Sequence, residues 1–304
     1  MSSVPMIAQT AGKGAARAAA RRGGGKGFGA QRRPAWLTYT ILALVVLISL
    51  APLYYTLLLG SSDQQSISRK AIPQWLPDAS LFDRFHDIIT TSSFDFPRAL
   101  TNSIVISVVT SVSVVLFSTL AGFAFAKLRF KGRRGLLVFV IATTAVPTQL
   151  GVIPLYIITA DLGWTNTLQA VIVPALVSAF AVFWMTQYLE SALPFELIEA
   201  ARVDGASMFR TFWSIALPAA RPAAAMLALF TFIQQWTNFF WPSIVLSQDN
   251  ATLPVVVKLL QGTYNTDYSL VMAGVFLTTV PLIIVFIIAG RQLVAGIMQG
   301  AVKG

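Results

Sequence analysis

Residues 270–289 read LVMAGVFLTTVPLIIVFIIA, twenty consecutive residues without a charged side chain. A helix needs about 20 mostly apolar residues to cross the roughly 30 Å hydrocarbon core of a bilayer, because each residue rises only about 1.5 Å. In lipid the backbone polar groups must also be satisfied within the segment, and a helix satisfies them. This stretch therefore predicts a transmembrane helix.

Five further segments have the same apolar character, and among them only Arg221, at the start of the fifth span, is charged. Toward the N-terminus they are residues 218–246, 168–189, 136–160, 100–126 and 36–59. The whole chain is 56% hydrophobic and 11% charged, whereas soluble domains carry roughly a quarter of their residues as charges. We predict an all-α polytopic membrane protein with six transmembrane helices over residues 36–290. Pro147, Pro154 and Pro174 are expected to bend the third and fourth spans, either for packing alone or to allow a conformational change.

Lys and Arg are unevenly shared between the two sides of this arrangement. One side holds 17 of the 22, including seven in residues 1–35 and five between the second and third spans, and the other side holds five. Cytoplasmic segments of membrane proteins are enriched in Lys and Arg. Both termini are therefore predicted to be cytoplasmic, with residues 1–35 a disordered basic tail and residues 291–304 a short C-terminal tail. For the basic tail we favour contact with anionic lipid over nucleic-acid binding.

The cytoplasmic connection at residues 190–217 is the informative one, because it holds acidic residues where the other cytoplasmic segments are basic. Pro194 suits a helix start and Gly205 suits a sharp turn. We expect a short helix from Pro194 to Asp204, with Leu197, Ala200, Ala201 and Val203 on its apolar side. A second short helix, capped by Ser207, is expected to end before Pro218, and the two would form a helical hairpin.

The stretch EAARVDGASMFRTFWSIALP at residues 199–218 resembles the EAA loop of binding-protein-dependent ABC importer permeases at each defining position. The resemblance implies that this loop, which we call the EAA loop (residues 190–217), docks on a separate ATPase subunit and transmits its motion to the spans. The implied docking residues are Glu199, Ala200, Ala201, Arg202, Asp204, Gly205, Leu217 and Pro218.

Two other stretches resemble the carbohydrate-type permeases, specifically the shorter membrane subunit of maltose-type importers. They are the aromatic QWTNFFWP at residues 235–242 and the C-terminal GAVKG at residues 300–304. Sugars bind to aromatic faces and to amide groups. The candidate pathway residues are Gln235, Trp236, Asn238, Phe239, Phe240 and Trp241, although an interfacial aromatic belt and interhelical hydrogen bonds would also use such side chains.

The resemblance further implies partners and an energy source. It implies a second homologous permease, two ATPase subunits that use ATP and Mg, and an extracytoplasmic sugar-binding protein in a bacterial cytoplasmic membrane. The external loop at residues 247–269 is expected to face that binding protein through Tyr264, Asn265, Asp267 and Tyr268, with a plain solvated loop as the alternative. No cofactor or metal is expected on this chain.

Other function classes fit the sequence less well. A secondary transporter coupled to protons or sodium usually places ionisable residues within its spans, and none of the six apolar segments contains Asp, Glu, Lys or His. The chain has no Cys and a single His, so residues for nucleophilic or metal-assisted catalysis are missing. It also has no GxxxxGK[ST] phosphate loop, so it lacks the ATP-binding motif of an ATPase. Import of a nonsugar such as glycerol phosphate by the same architecture remains an alternative. The sequence predicts a non-catalytic permease subunit for a sugar or oligosaccharide.

Overall fold

The computed structural model describes residues 36–64, 67, 75–91, 93–262 and 266–301. These residues form helices and connections, with no strand among them, and the all-α prediction is confirmed. By their contacts the residues fall into two units, Met1–Pro52 and Leu53–Gly304. Tyr264, Asn265 and the predicted tail at residues 1–35 lie outside the described residues.

The described helices are numbered α1 to α13 in chain order. They are α1 (Trp36–Ser61), α2 (Ser80–Thr90), α3 (Phe96–Lys127), α4 (Arg133–Thr143), α5 (Val152–Asp161), α6 (Leu168–Ile172), α7 (Ala179–Ala192), α8 (Phe195–Val203), α9 (Met208–Thr211), α10 (Leu217–Trp236), α11 (Phe240–Val245), α12 (Leu253–Leu259) and α13 (Tyr268–Ala301). Four short segments join or extend them: 3-10 turns at Thr148–Gly151, Val173–Ala175 and Gln248–Asn250, and a π-helical turn at Phe212–Ala216.

Five stretches are long and apolar enough to cross a membrane. They are Trp36–Ser61, Phe96–Lys127, Leu168–Ala192, Met208–Trp236 and Tyr268–Gly290. A sixth span exists if the bent pair Arg133–Thr143 and Thr148–Asp161 counts as one. The described residues therefore hold five or six span-capable helices, in agreement with a polytopic membrane protein.

The third predicted span is bent by 86°. Pro147 lies at the break, where it precedes the 3-10 turn, and a proline disfavours helical geometry in the residue before it. Pro154 causes no such break because it lies in the first turn of α5, where backbone N–H groups have no partner within the helix. Pro174 lies in a 3-10 turn, and α7 then begins afresh with Ser178 as its cap.

The fifth predicted span needs correction at both ends. Its helix begins at Met208, ten residues before Pro218, and ends at Trp236 rather than Leu246. Thr237, Asn238 and Phe239 follow before the short helix α11. Pro242 lacks an N–H, and its ring would clash with the carbonyl of residue 238, so a continuous helix through this region is disfavoured.

The two predicted external loops contain helices of their own. In α2 the buried residues are Leu81 and Ile88, while Asp83 and Asp87 are exposed. The helix α12 buries Leu253, Val255 and Val256. Both helices pack into one apolar core that also takes in Trp236 and Ala273 of the spans. This core gives the predicted external face a rigid structure.

A second apolar core lies around the EAA loop. It joins Phe123 of α3, Met185 and Leu189 of α7, Ile198 of α8 and Phe212 of the π-helical turn. The helices α3 and α7 come very close at Gly122, where an added Cβ would stand 2.9 Å from the backbone carbonyl carbon of Met185. Because that space is filled by backbone, only glycine fits there.

Candidate functional site

The first helix of the EAA loop, α8, is set up by residues at both of its ends. Pro194 precedes it in an extended conformation, Glu196 lies in its first turn and Arg202 in its last. These charges complement the helix dipole, which is positive at the N-terminus and negative at the C-terminus. The predicted helix of residues 194–204 is therefore present as Phe195–Val203.

The faces of α8 differ from the predicted ones. Ile198 is buried in the core around the EAA loop, and Ala201 is also buried. Leu197, Ala200 and Val203 point outward instead, and Val203 is 88% exposed. The two alanines of the motif thus lie on different sides of the helix, because adjacent residues on a helix are separated by about 100°.

The outward face of α8 combines apolar and acidic groups. Glu196, Glu199 and Asp204 are exposed beside the exposed Leu197 and Val203. Glu199, Ala200 and Arg202 are exposed as well. An apolar strip rimmed by carboxylates suits a groove with an apolar floor and basic edges.

Gly205 ends α8 in a left-handed conformation, with φ of +75°. The N–H of Ala206 donates to the carbonyl of Ala201 at 2.9 Å, and the N–H of Gly205 donates to the carbonyl of Arg202 at 3.0 Å. This pair of bonds is a Schellman motif, in which glycine is preferred because it has no Cβ to clash. An added Cβ would meet nothing within 4 Å, so the glycine is needed for its φ alone.

Ser207 caps the next helix as predicted, since its Oγ accepts from the N–H of Arg210 at 3.2 Å. The predicted hairpin is wrong in one respect: the second helix does not stop before Pro218. It passes through the π-helical turn Phe212–Ala216 directly into α10. A π turn relaxes the i to i−4 pairing that a proline disrupts. Leu217 and Pro218 are therefore half-buried parts of the span and not part of the loop surface.

The EAA loop is attached to the end of α3 by two cations. Lys127 Nζ donates to the carbonyl of Glu190 at 3.1 Å, and the Arg129 guanidinium lies 5.3 Å from the ring centre of Phe195. Below them the rings of Phe123 and Phe212 pack at 5.9 Å. These contacts join the EAA loop to the end of α3 and, through Phe212, to the start of α10.

Two of the candidate pathway residues have structural partners. The Trp236 indole N–H donates to the carbonyl of Thr278 at 3.2 Å, and its ring stacks on Phe232 at 5.5 Å. The Trp241 indole N–H donates to the carbonyl of Ala170 at 2.8 Å. Both indoles therefore tie helices together, which corresponds to the interhelical alternative.

The remaining pathway residues surround the break between α10 and α11. Phe239 and Phe240 are exposed and Asn238 is half-buried. Gln235 Oε1 is buried and accepts no hydrogen bond within the described part of the chain. Lys258 of α12 places its Nζ 5.3 Å from the ring centre of Phe239. The sequence did not indicate this cation, because it comes from an external helix.

The described part of the loop at residues 247–269 includes two of its four candidates. Asp267 caps α13 by accepting from the N–H of Ser269 at 2.9 Å, and it pairs with Arg84 at 3.4 Å. Tyr268 is 56% exposed, while its N–H donates to Gln64. Asp267 is thus occupied in holding α13, and the Tyr268 ring is open to a partner.

Buried amides fasten the start of this loop, and sequence reasoning missed them. Asn102 Nδ2 donates to the carbonyls of Asn250 and Ala251 at 3.1 and 3.0 Å. Asn250 in turn donates to the carbonyl of Asn166 at 2.7 Å. The only sequence signal was an Asn in a span, which usually marks an interhelical bond.

A cavity of about 800 Å³ opens beside these amides. Its lining residues are Ile89, Thr91, Ser93, Phe94, Asp95, Pro97, Arg98, Ser247, Gln248 and Asp249. The pKa of Asp249 is lowered mainly by a hydrogen bond from the Ser247 hydroxyl and, to a smaller extent, by one from the Asn166 amide. Asp249 and Arg98 thus place opposite charges in the lining of this cavity.

Comparison with known proteins gives consistent matches. Residues 115–297 match the family described as binding-protein-dependent transport system inner membrane component. The arabinooligosaccharides transport system permease protein AraQ of Halalkalibacterium halodurans is 35% identical, over 88% of this chain and 96% of that protein. The lactose transport system permease protein LacG of Rhizobium radiobacter is 32% identical, over 90% and 98%. The sn-glycerol-3-phosphate transport system permease protein UgpE of Escherichia coli O157:H7 is 30% identical, over 88% and 98%.

Two solved structures share the fold. A chain of a bacterial ABC transporter involved in the import of the acidic polysaccharide alginate aligns with a TM-score of 0.70 and 23% identity, covering 84% of this chain and 94% of that one. A chain of the inward-facing MetNI methionine ABC transporter aligns with a TM-score of 0.51 and 18% identity, covering 66% and 95%.

Proposed function

This chain belongs to the family of inner membrane components of binding-protein-dependent transport systems, and on that premise we propose that it imports a sugar or oligosaccharide. The family is one of non-catalytic permease subunits of ABC transporters. The observation that carries the substrate class is the near full-length match to AraQ and LacG, whose names state arabinooligosaccharide and lactose transport.

The energy for import enters through the EAA loop. Two separate ATPase subunits bind ATP and Mg, close on each other, and push on α8. The exposed face with Leu197, Ala200 and Val203 fits the floor of a groove, and Glu196, Glu199 and Asp204 fit its basic edges. The Schellman turn at Gly205 gives α8 a rigid end, so that a push displaces the helix as a body.

The pathway lies along the break at residues 237–239, where this chain meets a second homologous permease. Phe239 and Phe240 offer exposed rings to the C–H faces of a sugar, and the half-buried Asn238 offers an amide to its hydroxyl groups. A broken helix at membrane depth is tolerated where it lines a cavity. Alternating access then follows from rigid-body motion of these spans against those of the second permease.

The external face receives the substrate from an extracytoplasmic binding protein. The loop at residues 247–269 is held by buried amides and carries the exposed Tyr268 ring. Both termini and the EAA loop face the cytoplasm of a bacterial cell, because 17 of the 22 Lys and Arg residues lie on that side.

Glycerol phosphate is a second candidate substrate, and one observation favours it. Lys258 stands over Phe239 at the mouth of the pathway, where an ammonium group would attract an anionic substrate. UgpE, the 30% identical relative, is named for glycerol-3-phosphate. A neutral sugar would stack on the Phe239 ring instead.

The deciding experiment is the ATPase rate of the reconstituted transporter in lipid vesicles, titrated with binding protein and a panel of substrates. Stimulation by an oligosaccharide that also needs the binding protein supports the sugar assignment, and it should persist in Lys258→Gln. Stimulation by glycerol phosphate alone, lost in Lys258→Gln, replaces the sugar with the anion. If no substrate of either class stimulates hydrolysis, the proposed substrate class is wrong.

A further inference from the structure

A smaller cavity, of about 360 Å³, opens where α3 passes into α4. Six residues line it: Arg129, Phe130, Gly132, Arg133, Arg134 and Gly135. We propose that this cavity, the arginine pocket, binds the phosphate headgroup of an anionic phospholipid of the cytoplasmic leaflet. The proposal rests on the topology given under the proposed function.

The first support is charge. Between Lys127 and Arg134 five of eight residues are cations and none is acidic. Within the described part of the chain, none of the three pocket arginines forms an ion pair with a carboxylate. Arg133 donates one bond to the carbonyl of Leu128 at 3.3 Å, and the planar guanidinium fork keeps further donors for phosphate oxygens.

The second support is the apolar surface directly below the arginines. Phe130 is exposed at the pocket edge, and Leu136, Val138 and Phe139 are exposed along the first turns of α4. The helix α4 has no buried residue. A molecule with an anionic head and two hydrocarbon chains complements both the pocket arginines and the apolar surface of α4. Free phosphate complements only the arginines.

The pocket also touches the EAA loop. Arg129 lines the pocket and at the same time lies over Phe195, the first residue of α8. A headgroup bound to Arg129 therefore restricts the guanidinium that holds α8 against α3. Occupation of the pocket should raise the coupling of ATP hydrolysis to transport.

Lipid binding can be measured without transport. We would place the full-length chain, in its assembled transporter, in nanodiscs of phosphatidylcholine with a minor fraction of phosphatidylglycerol, and count retained lipids by native mass spectrometry. The test variant is Arg134→Gln, which removes an exposed pocket cation. Lys131→Gln is the matched control, because Lys131 is an exposed cation of the same connection that does not line the pocket.

We expect Arg134→Gln to bind phosphatidylglycerol about tenfold more weakly, since loss of a charge-assisted hydrogen bond to the phosphate costs at least about that factor. Lys131→Gln should stay close to the parent chain, Arg134→Lys should recover most of the affinity, and phosphatidylcholine retention should not change. Recovery in Arg134→Lys also shows that the fold is intact.

Three results would overturn the proposal. Equal losses of phosphatidylglycerol affinity in Arg134→Gln and Lys131→Gln would mean that the lipid is attracted by the general positive charge of this connection and not by a specific site. No loss in Arg134→Gln would mean that the pocket does not hold the lipid. Displacement of the lipid by millimolar inorganic phosphate would mean a site for free phosphate. None of these results bears on which substrate is carried, so they leave the transport assay independent.

Discussion

At the scale of single residues, Gly205 illustrates a requirement that is conformational rather than steric. Its φ is +75° and the space around a would-be Cβ is empty. A side chain is therefore disfavoured only by the left-handed backbone, at about 1–2 kcal/mol. Asn tolerates that conformation better than other non-glycine residues.

We therefore predict that Gly205→Leu uncouples ATP hydrolysis from transport while the protein still reaches the membrane. The strain should shift the population of the native turn about five- to thirtyfold. The measurement is the ratio of substrate transported to ATP hydrolysed in vesicles. Gly205→Asn should keep most of the parent ratio. Normal transport by Gly205→Leu would exclude the assigned coupling role.

Asp249 provides a prediction on pH. Its folded pKa is lowered, first by the Ser247 hydroxyl and then by the Asn166 amide. A lowered folded pKa means that the carboxylate stabilises the loop above the ordinary pKa of an aspartate, about 3.9, and that this stability is lost as pH falls through the folded pKa.

Asp249→Asn should therefore melt at a lower temperature than the parent chain at pH 7, and the difference should shrink below about pH 4. Thermal unfolding in detergent across this range is the measurement. Asp161→Asn, another exposed acid, is the control and should show a smaller difference at pH 7. A difference for Asp249→Asn that is constant with pH would show that the contact does not depend on the charge.

At the scale of elements, α8 places the two adjacent alanines of its motif in different environments. Ala201 is 6% exposed and packs on the core, while Ala200 lies on the outer face. Sequence reasoning assigned both to close packing with a partner. The surrounding helices decide which alanine is inside, because α8 is anchored through Ile198 to α3 and α7.

Enlarging the two alanines should therefore have different effects. Ala201→Leu overpacks the core and should lower the free energy of unfolding by about 1–3 kcal/mol. Ala200→Leu should leave thermal stability unchanged and weaken ATPase docking. The two measurements are melting temperature and co-purification of the ATPase subunit. Loss of stability in Ala200→Leu, with retained docking in both variants, would contradict this assignment.

The broken spans are a second feature of this scale. The 86° bend of the third span could be predicted from Pro147. A proline restricts the backbone next to it, so its effect can be inferred from the sequence alone. The end of α10 at Trp236 was not predicted, since the apolar run continues through Val245 and hydropathy does not distinguish a helix from a broken helix. Interhelical bonds from Trp236 and Trp241 hold the break in place.

At the scale of the whole molecule, the absence of cysteine from the sequence makes the orientation directly testable. Single cysteines can be introduced at exposed positions on each predicted side: Lys131→Cys between α3 and α4, and Phe82→Cys on α2. A membrane-impermeant maleimide should label Phe82→Cys in intact cells and Lys131→Cys only after permeabilisation. The reverse pattern would invert the topology and with it the roles of both loops.

The sequence alone determined the properties that depend on short-range composition. Apolar runs of about 20 residues gave the membrane class, the asymmetry of Lys and Arg gave the predicted orientation, and the spacing from Glu199 to Pro218 indicated the family and the turn at Gly205. A positive φ is a local property of one residue, so a glycine directly after a predicted helix is enough to indicate the turn.

The tertiary structure decided what depends on contacts between distant segments. It set which alanine of α8 is buried, brought Lys258 over Phe239 and Arg129 over Phe195, and used Asn102 to fasten a loop almost 150 positions further along the chain. In a chain that is apolar on every face, hydropathy cannot tell the side that meets protein from the side that meets lipid. Only the packing of small residues and the pairing of buried polar groups separate the two.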